Sequence, residues 1–276
     1  MICEMQIRNY SPRTISLYVS MLAGLSRFYN TSPDKLSTQQ LKDYLQHRIQ
    51  HDKVSVGTIN QAIGAWRLLQ IDVLKRDWED FKIKRPKKEK KLPMVLSRNE
   101  ALNLINALSN LKHRTILTLT YTTGLRRSEI LNLKPEHIDA DRNQIRVVDG
   151  KGHKQRMVPV SNSVLTLLRE YYKKYRPEIY LFEGWESGVQ YAPTSFARIV
   201  KRAALKANIK KTVSPHILRH SFASHMLEYG LNLKKLQLIM GHSTLKTTSI
   251  YLHVTNTDTA IIPDLSVTES KSALKW

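Results

Sequence analysis

Between Ser214 and Val254 the chain reads SPHILRHSFASHMLEYGLNLKKLQLIMGHSTLKTTSIYLHV. His216 and Arg219 stand one helical turn apart, His242 follows a glycine, and Tyr251 lies on the next segment. A tyrosine among histidine and arginine raises one specific chemistry, attack of the phenol on a phosphate. Cleaving a phosphodiester without a metal requires cations on the non-bridging oxygens as charge accumulates there, and two arginines supply this bidentately. The departing 5′ oxygen requires an acid, a contribution of about 10²–10⁴-fold. A phenol, with a pKa near ~10, is a poor nucleophile until a base or a cationic field assists it. Its product, a phosphotyrosyl ester, stores the bond energy, so rejoining needs no ATP, and the sequence has no nucleotide-binding motif. Lone His and Arg residues on helices are more often structural or surface groups, so the cluster gains meaning only from partners elsewhere.

Helical spacing and caps show what positions these groups. Pro215 at the first helical position, behind Ser214 as cap, puts His216 in a first turn whose backbone N–H groups favour an anion. Helices are predicted over 163–174, 194–207, 215–229, 233–240 and 245–254. Upstream, Leu96-Ser97-Arg98-Asn99-Glu100 reads as a capping box. An apolar, Thr-rich helix over 114–123 stops at Gly124, a C-terminal cap. In LRRSEILNL that follows, Arg126 and Glu129 are i,i+3 neighbours on one face. The sheet signal is confined to Ile145–Val148 and Arg156–Val160, which flank DGKGHK; two glycines there mark a hairpin turn with Lys151 at its tip. A loop-tip lysine is ordinarily just solvated.

Other chemistries are excluded. The glycine spacing is not that of a Walker A loop, and no G-x-S-x-G elbow exists for a serine hydrolase. His216 and His220 are spaced as on a zinc helix, but no HExxH glutamate, carboxylate or cysteine ligand accompanies them, so no metal and no cofactor is expected. Cys3 is the single cysteine, which rules out an internal disulfide.

The charge balance points to a partner. The 276 residues carry 44 Lys plus Arg against 23 Asp plus Glu, a net charge of +21, which favours a polyanion, nucleic acid before membrane. No apolar run approaches the ~18 residues of a membrane span, and the N-terminus is no signal peptide, so a cytoplasmic chain is expected. The length suits two domains. Residues 1–80 show no β-alternation and read as helices: one opened by Ser11-Pro12 and running to about Asn30, one opened by the Ser37/Gln40 capping box, and one over 56–78 with Ile59, Ile63, Trp66, Leu69 and Val73 inward. Off the apolar positions lie Arg8, Arg13, Lys35, Lys42, His47, Arg48, Lys53, Arg67, Lys75 and Arg76, suited collectively to phosphate contacts that position a protein without reading sequence. KIKRPKKEKK at 82–91 sets seven basic residues against one acidic. It reads as a boundary whose Lys82, Lys84, Arg85, Lys87, Lys88, Lys90 and Lys91 face DNA.

Four stretches, TGLRRSEI, GKGHKQRMVPV, HILRHSFASHML and MGHSTLKTTSIYLHV, in this order, resemble the tyrosine recombinase/integrase family, close to its Xer branch. The likeness covers residues 2–254. It implies a mainly α fold with a small β-hairpin in the second domain, arranged as a two-domain DNA clamp. The parts would be an all-α core-binding, SAM-like domain at 1–81, a basic linker at 82–93, an α+β catalytic domain at 94–257, and a tail at 258–276 that could dock on a neighbouring protomer.

By the same resemblance Arg126 and Arg219 hold the scissile phosphate, and His216 serves in proton transfer and phosphate contact. Lys151 is the general acid, His242 hydrogen-bonds the phosphate, Glu129 braces the site, and Tyr251 attacks to form a 3′-phosphotyrosine. The motif register sets Arg127 and His220 aside. Family members cleave and rejoin duplex DNA at specific sites, as tetramers across two DNA sites and through a Holliday junction, which implies a nucleoid-associated protein of a bacterial or archaeal cytoplasm. A type IB topoisomerase-like relaxing enzyme and a non-catalytic architectural DNA protein are the alternatives. Pro263 and the Ser/Thr richness of the tail argue against a long terminal helix.

Overall fold

The computed structural model describes residues 1–77, 83–87, 92–148 and 155–253, which divide into two compact units, Met1–Lys91 and Leu92–Trp276.

The first unit is helical throughout its described residues: α1 (Ile2–Ile7), α2 (Pro12–Tyr29), α3 (Thr38–Gln50) and α4 (Val56–Arg67). The caps act as the sequence indicates. The Ser11 hydroxyl accepts from Thr14 N, Asn30 closes α2 in the left-handed conformation, and Ser37 and Gln40 satisfy each other's backbone N–H groups. Leu22, Leu25, Leu41, Leu45, Ile59, Ile63 and Trp66 form the core. The short α1 has too few residues to show a period. The third helix is α only to Arg67 and continues as a π-helical stretch, Leu68–Val73. Some of the basic residues are neutralised within the unit: Arg8 pairs with Glu4 and Asp72, and Arg48 with Asp52. Of the basic run at 82–91, residues 83–87 lie along this unit, with Ile83 against its core and Asn60 Nδ2 donating to Pro86 O at 3.2 Å. Lys84, Arg85 and Lys87 are thereby left exposed. Lys82, Lys88, Lys90 and Lys91 lie outside the described residues.

The second unit places α5 (Arg98–Asn106), α6 (Leu111–Thr123) and α7 (Arg127–Leu131) before a three-stranded antiparallel meander. Its strands are β1 (Ile138–Asp139), β2 (Gln144–Val148) and β3 (Gln155–Pro159), and β1 adds an edge to the expected hairpin. Then come α8 (Asn162–Tyr175), α9 (Pro193–Lys206), α10 (Pro215–Glu228), α11 (Leu233–Met240) and α12 (Leu245–Thr248). Leu104, Ile116, Leu117, Ile145, Val158, Phe182, Phe196 and Leu218 fill the main core. A second, smaller core holds Phe222, Ala223, Leu236, Met240 and Tyr251.

Pairing of β2 with β3 sets Ile145 opposite Val158 and Val147 opposite Arg156. Arg156 is therefore in phase with buried valines and points inward.

Three local expectations change. The helix expected from 114 opens earlier, at Leu111, on an Asn110 cap. Ser214 occupies the cap position of α10, but its hydroxyl makes no capping bond. The helix expected over 245–254 is one α-turn, α12, followed by a 3₁₀ turn, Ser249–His253. Winding at three residues per turn eclipses positions i and i+3, which aligns the two buried side chains Thr248 and Tyr251 on one edge.

Candidate active site

The site is built on the C-terminal end of α11. A helix leaves its last carbonyls without intrahelical partners and carries partial negative charge there. Three successive carbonyls each take a different arginine. Ile239 O accepts from Arg156 Nε, Met240 O from Arg219 Nη2, and Gly241 O from Arg126 Nη2, all at 2.7 Å. Gly241 ends the helix at φ +62°, and a Cβ there would lie 2.8 Å from Arg156 Nη1, so both backbone sign and space require glycine.

Arg219, from the buried side of α10, also donates from Nη1 to Gly124 O at 2.6 Å. Gly124 is the left-handed cap of α6 and packs against Phe222. The capped ends of α6 and α11 thus hold one guanidinium between them.

Glu129 joins the cations. Its Oε1 accepts from Arg126 Nη1 at 2.7 Å and Arg156 Nη1 at 2.9 Å; its Oε2 accepts from Arg126 N at 2.7 Å and Arg156 Nη2 at 2.8 Å. Burial alone would raise this carboxyl, but the hydrogen bonds and charge of Arg156, seconded by Arg126, override it and bring the pKa to about 2. Burial, then the charge of Arg126, lowers Arg219 to about 10. Three guanidinium groups around one carboxylate leave the pocket with an excess of positive charge, suited to a phosphate anion.

The histidines divide by what they touch. Arg219 Nη2 donates to His242 Nε2 at 3.0 Å, which fixes the ring proton on Nδ1, facing Thr248 Oγ1 at 2.9 Å. Burial, then Arg219, Arg126 and Arg156, push His242 down to about 4, so the ring is neutral. His216 is exposed in the first turn of α10, its pKa lowered by burial of part of the ring and by the charges of Arg127, Arg219 and Arg126. Tyr251 is buried, 2% exposed, with its ring stacked at 6.4 Å from His242 and its hydroxyl 2.9 Å from His220 Nδ1. Burial raises the phenol pKa, and the nearby Arg219 and Arg126 act in the opposite direction.

The structure therefore gathers Arg126, Glu129, His216, Arg219, His242 and Tyr251 around the α10–α11 end of the second unit. Lys151 lies outside the described residues. Lys84, Arg85 and Lys87 belong to the first unit. Among the described residues no group of three or more His, Cys, Asp or Glu is arranged to hold a metal ion. Arg156 joins the cluster although nothing in the sequence reading names it, and His220, which the motif register sets aside, joins it through Tyr251. For Arg156 a signal existed, a charged residue on the same strand face as Val158 and Val160.

Residues 94–258 match the phage integrase family, and residues 1–80 match the N-terminal SAM-like domain of phage integrases. A tyrosine recombinase of Thermosipho africanus is 39% identical over 259 residues, 90% of this chain and 91% of the relative. Among solved structures, XerA recombinase aligns over 92% of each chain with 28% identity and a TM-score of 0.56. XerH site-specific recombinase bound to its difH substrate shares the fold, with a TM-score of 0.71 over 88% of this chain and 76% of that one, at 23% identity.

Proposed function

The chain belongs to the phage integrase family, as a Xer-like tyrosine recombinase, and from that premise we infer that it cleaves and rejoins duplex DNA at specific recombination sites. The convergence of Arg126, Arg219 and Tyr251 at the end of α11 carries the assignment of roles.

Arg126 and Arg219 clamp the non-bridging oxygens of the scissile phosphate, where preorganised cations stabilise the charge of the transition state. Glu129 and Arg156 hold Arg126 in place. His216, exposed at the mouth, contacts the phosphate and serves in proton transfer. Once an anion draws Arg219 away from Nε2, His242 takes the tautomer with its proton on Nε2, Nδ1 then accepting from the Thr248 hydroxyl, and donates to the phosphate. Lys151 protonates the departing 5′ oxygen. Tyr251 forms the O–P bond as the P–O5′ bond breaks, leaving a 3′-phosphotyrosine and a free 5′-hydroxyl; attack by a 5′-hydroxyl reverses the step and seals the strand. No redox or nucleotide chemistry enters this balance.

The exposed Lys84, Arg85 and Lys87, with the remaining basic residues of 82–91, supply backbone contacts that hold the two units on the duplex. Exchange between two sites calls for four protomers and a Holliday junction, in a bacterial or archaeal cytoplasm beside the nucleoid.

The test is a nicked suicide duplex bearing a site recovered by covalent capture from a genomic DNA library. The wild-type chain should leave a protein–DNA adduct that survives denaturation, and Tyr251→Phe should bind the same duplex without forming it. An adduct persisting in Tyr251→Phe would remove the nucleophile assignment. Relaxation of supercoiled DNA of any sequence, without recombination of paired sites, would favour a topoisomerase.

A further inference from the structure

Tyr251 cannot attack as a phenol; its proton must leave with the formation of the O–P bond. Tyr251 is 2% exposed, so the acceptor is sought among the described groups packed against it. From the α11 turn, His242 stacks on the phenol ring, but its Nε2 already accepts from Arg219 and its Nδ1 carries the proton facing Thr248. From α7, both oxygens of Glu129 are held by Arg126 and Arg156. Arg126 and Arg219 are cations and accept nothing. On α10, His216 lies on the exposed side and has no hydrogen bond to the phenol among the described residues, so the proton it transfers at the mouth of the site is not the phenol's. What remains is His220, one helical turn on from His216, with Nδ1 at 2.9 Å from the hydroxyl and the rings 5.6 Å apart.

We propose that His220 is the base for Tyr251: its Nδ1 takes the phenol proton as the oxygen attacks phosphorus, and returns it to the phenolate when the strand is rejoined. This rests on Tyr251 being the nucleophile. The step balances. The phenol O–H breaks, the O–P bond forms, the P–O5′ pair leaves with a proton from a separate acid, and His220 ends as an imidazolium. In the resting state the neighbours favour a neutral acceptor. Burial of His220, then the charges of His216 and Arg219, lower its pKa, so the imidazole is unprotonated at neutral pH. The proton then sits on Nε2, and the phenol donates to Nδ1. A scissile phosphate on Arg126 and Arg219 adds negative charge beside His220 and strengthens it as a base when it is needed. Contact with the reacting oxygen makes His220 a catalytic residue, distinct from Arg156, which acts through Glu129.

The experiment uses the full chain on the nicked duplex described above, comparing wild type with His220→Asn and His220→Gln. Asparagine places an oxygen near the position of Nδ1 and can keep the hydrogen bond without basicity. Wild type must form the adduct and Tyr251→Phe must not; failure there removes the nucleophile and this assignment with it, whereas the His220 variants test the base alone. With DNA affinity and thermal midpoint matched to wild type, His220→Asn should slow single-turnover cleavage by about 10²-fold or more at neutral pH. The deficit should narrow by about tenfold per pH unit as hydroxide replaces the base, and 3-fluorotyrosine at position 251, a more acidic phenol, should recover part of it. Cleavage within about twofold of wild type, or a deficit unchanged by pH and by the fluorinated phenol in both variants, would reduce His220 to a prop and overturn the proposal.

Discussion

Glu129→Gln tests how the arginine cluster is held together. The carboxylate is 4% exposed and accepts four hydrogen bonds from two arginines. Glutamine keeps the shape, but it is neutral, and one of its two termini becomes a donor facing guanidinium donors. The fall of the carboxyl from its ordinary 4.5 to about 2, at about 1.4 kcal/mol per tenfold, corresponds to about 3 kcal/mol of stability. Breaking a buried ion pair by removing one partner costs ~3–5 kcal/mol, a similar size. Because the folded-state pKa is depressed, this contribution is fully present above 4.5 and is lost as pH falls through 4.5 towards 2. Urea unfolding of wild type and Glu129→Gln should therefore differ by about 3 kcal/mol at pH 7, with the gap closing below pH ~4.5. Adding Arg156→Met to Glu129→Gln should cost less than Arg156→Met alone, since the buried charge no longer loses a partner. A difference under about 1 kcal/mol at pH 7, or one that persists unchanged at pH 3, would refute the account of Glu129 as the charged keystone of the three arginines.

Three further outcomes are expected. Observed by NMR, the His242 ring should stay neutral down to about pH 4, and binding of inorganic vanadate should raise its midpoint by offsetting the three arginines; a midpoint near the ordinary value of 6.5 without ligand would disprove the account of a ring held neutral by burial and the arginines. A Cβ on Gly124 would lie 2.2 Å from Phe222 Cδ1 at φ +62°, so Gly124→Ala should destabilise by about 2–4 kcal/mol. Phe222→Leu should recover only the steric part, leaving the backbone strain, as read from the denaturation midpoint. Replacing Lys84, Arg85 and Lys87 together by Ala should reduce the slope of log affinity against log salt by about 3, measured by filter binding, and an unchanged slope would remove them from the DNA interface.

What the sequence made legible was local. Ser11, Ser37, Ser97 and Gly124 mark element ends because caps are set by neighbours within a few residues, and Arg126 with Glu129 are paired by helical spacing alone. The resemblance of four motifs then carried the family and the expected roles. What stayed hidden depends on tertiary contacts. Arg156 reaches Glu129 across 27 positions and His220 reaches Tyr251 across 31, and no periodicity encodes either meeting. In sequence His220 is eclipsed by its neighbours, which fit the motif register better. The apolar spacing of 245–254 permits a continuous helix; the change to a 3₁₀ turn after Thr248, where Thr248 and Tyr251 are both buried, is not encoded in that spacing. The two residues of β1 are too short a run to alternate.

The arrangement of Arg156, Arg219 and Arg126 on Ile239, Met240 and Gly241 gives the site a single shared coordinate. Each cation approaches from a different element, β3, α10 or the start of α7, yet all three are referenced to adjacent peptide units. Positional error introduced on any one of these elements is averaged through the others, whereas a shift of residues 239–241 is transmitted whole to every cation at once. Tolerance to substitution should be distributed accordingly. Second-site revertants of a damaged arginine should cluster in the turn from Ile239 to His242 and on the face of α11 that seats it, rather than on the strand or helix where the damage was made.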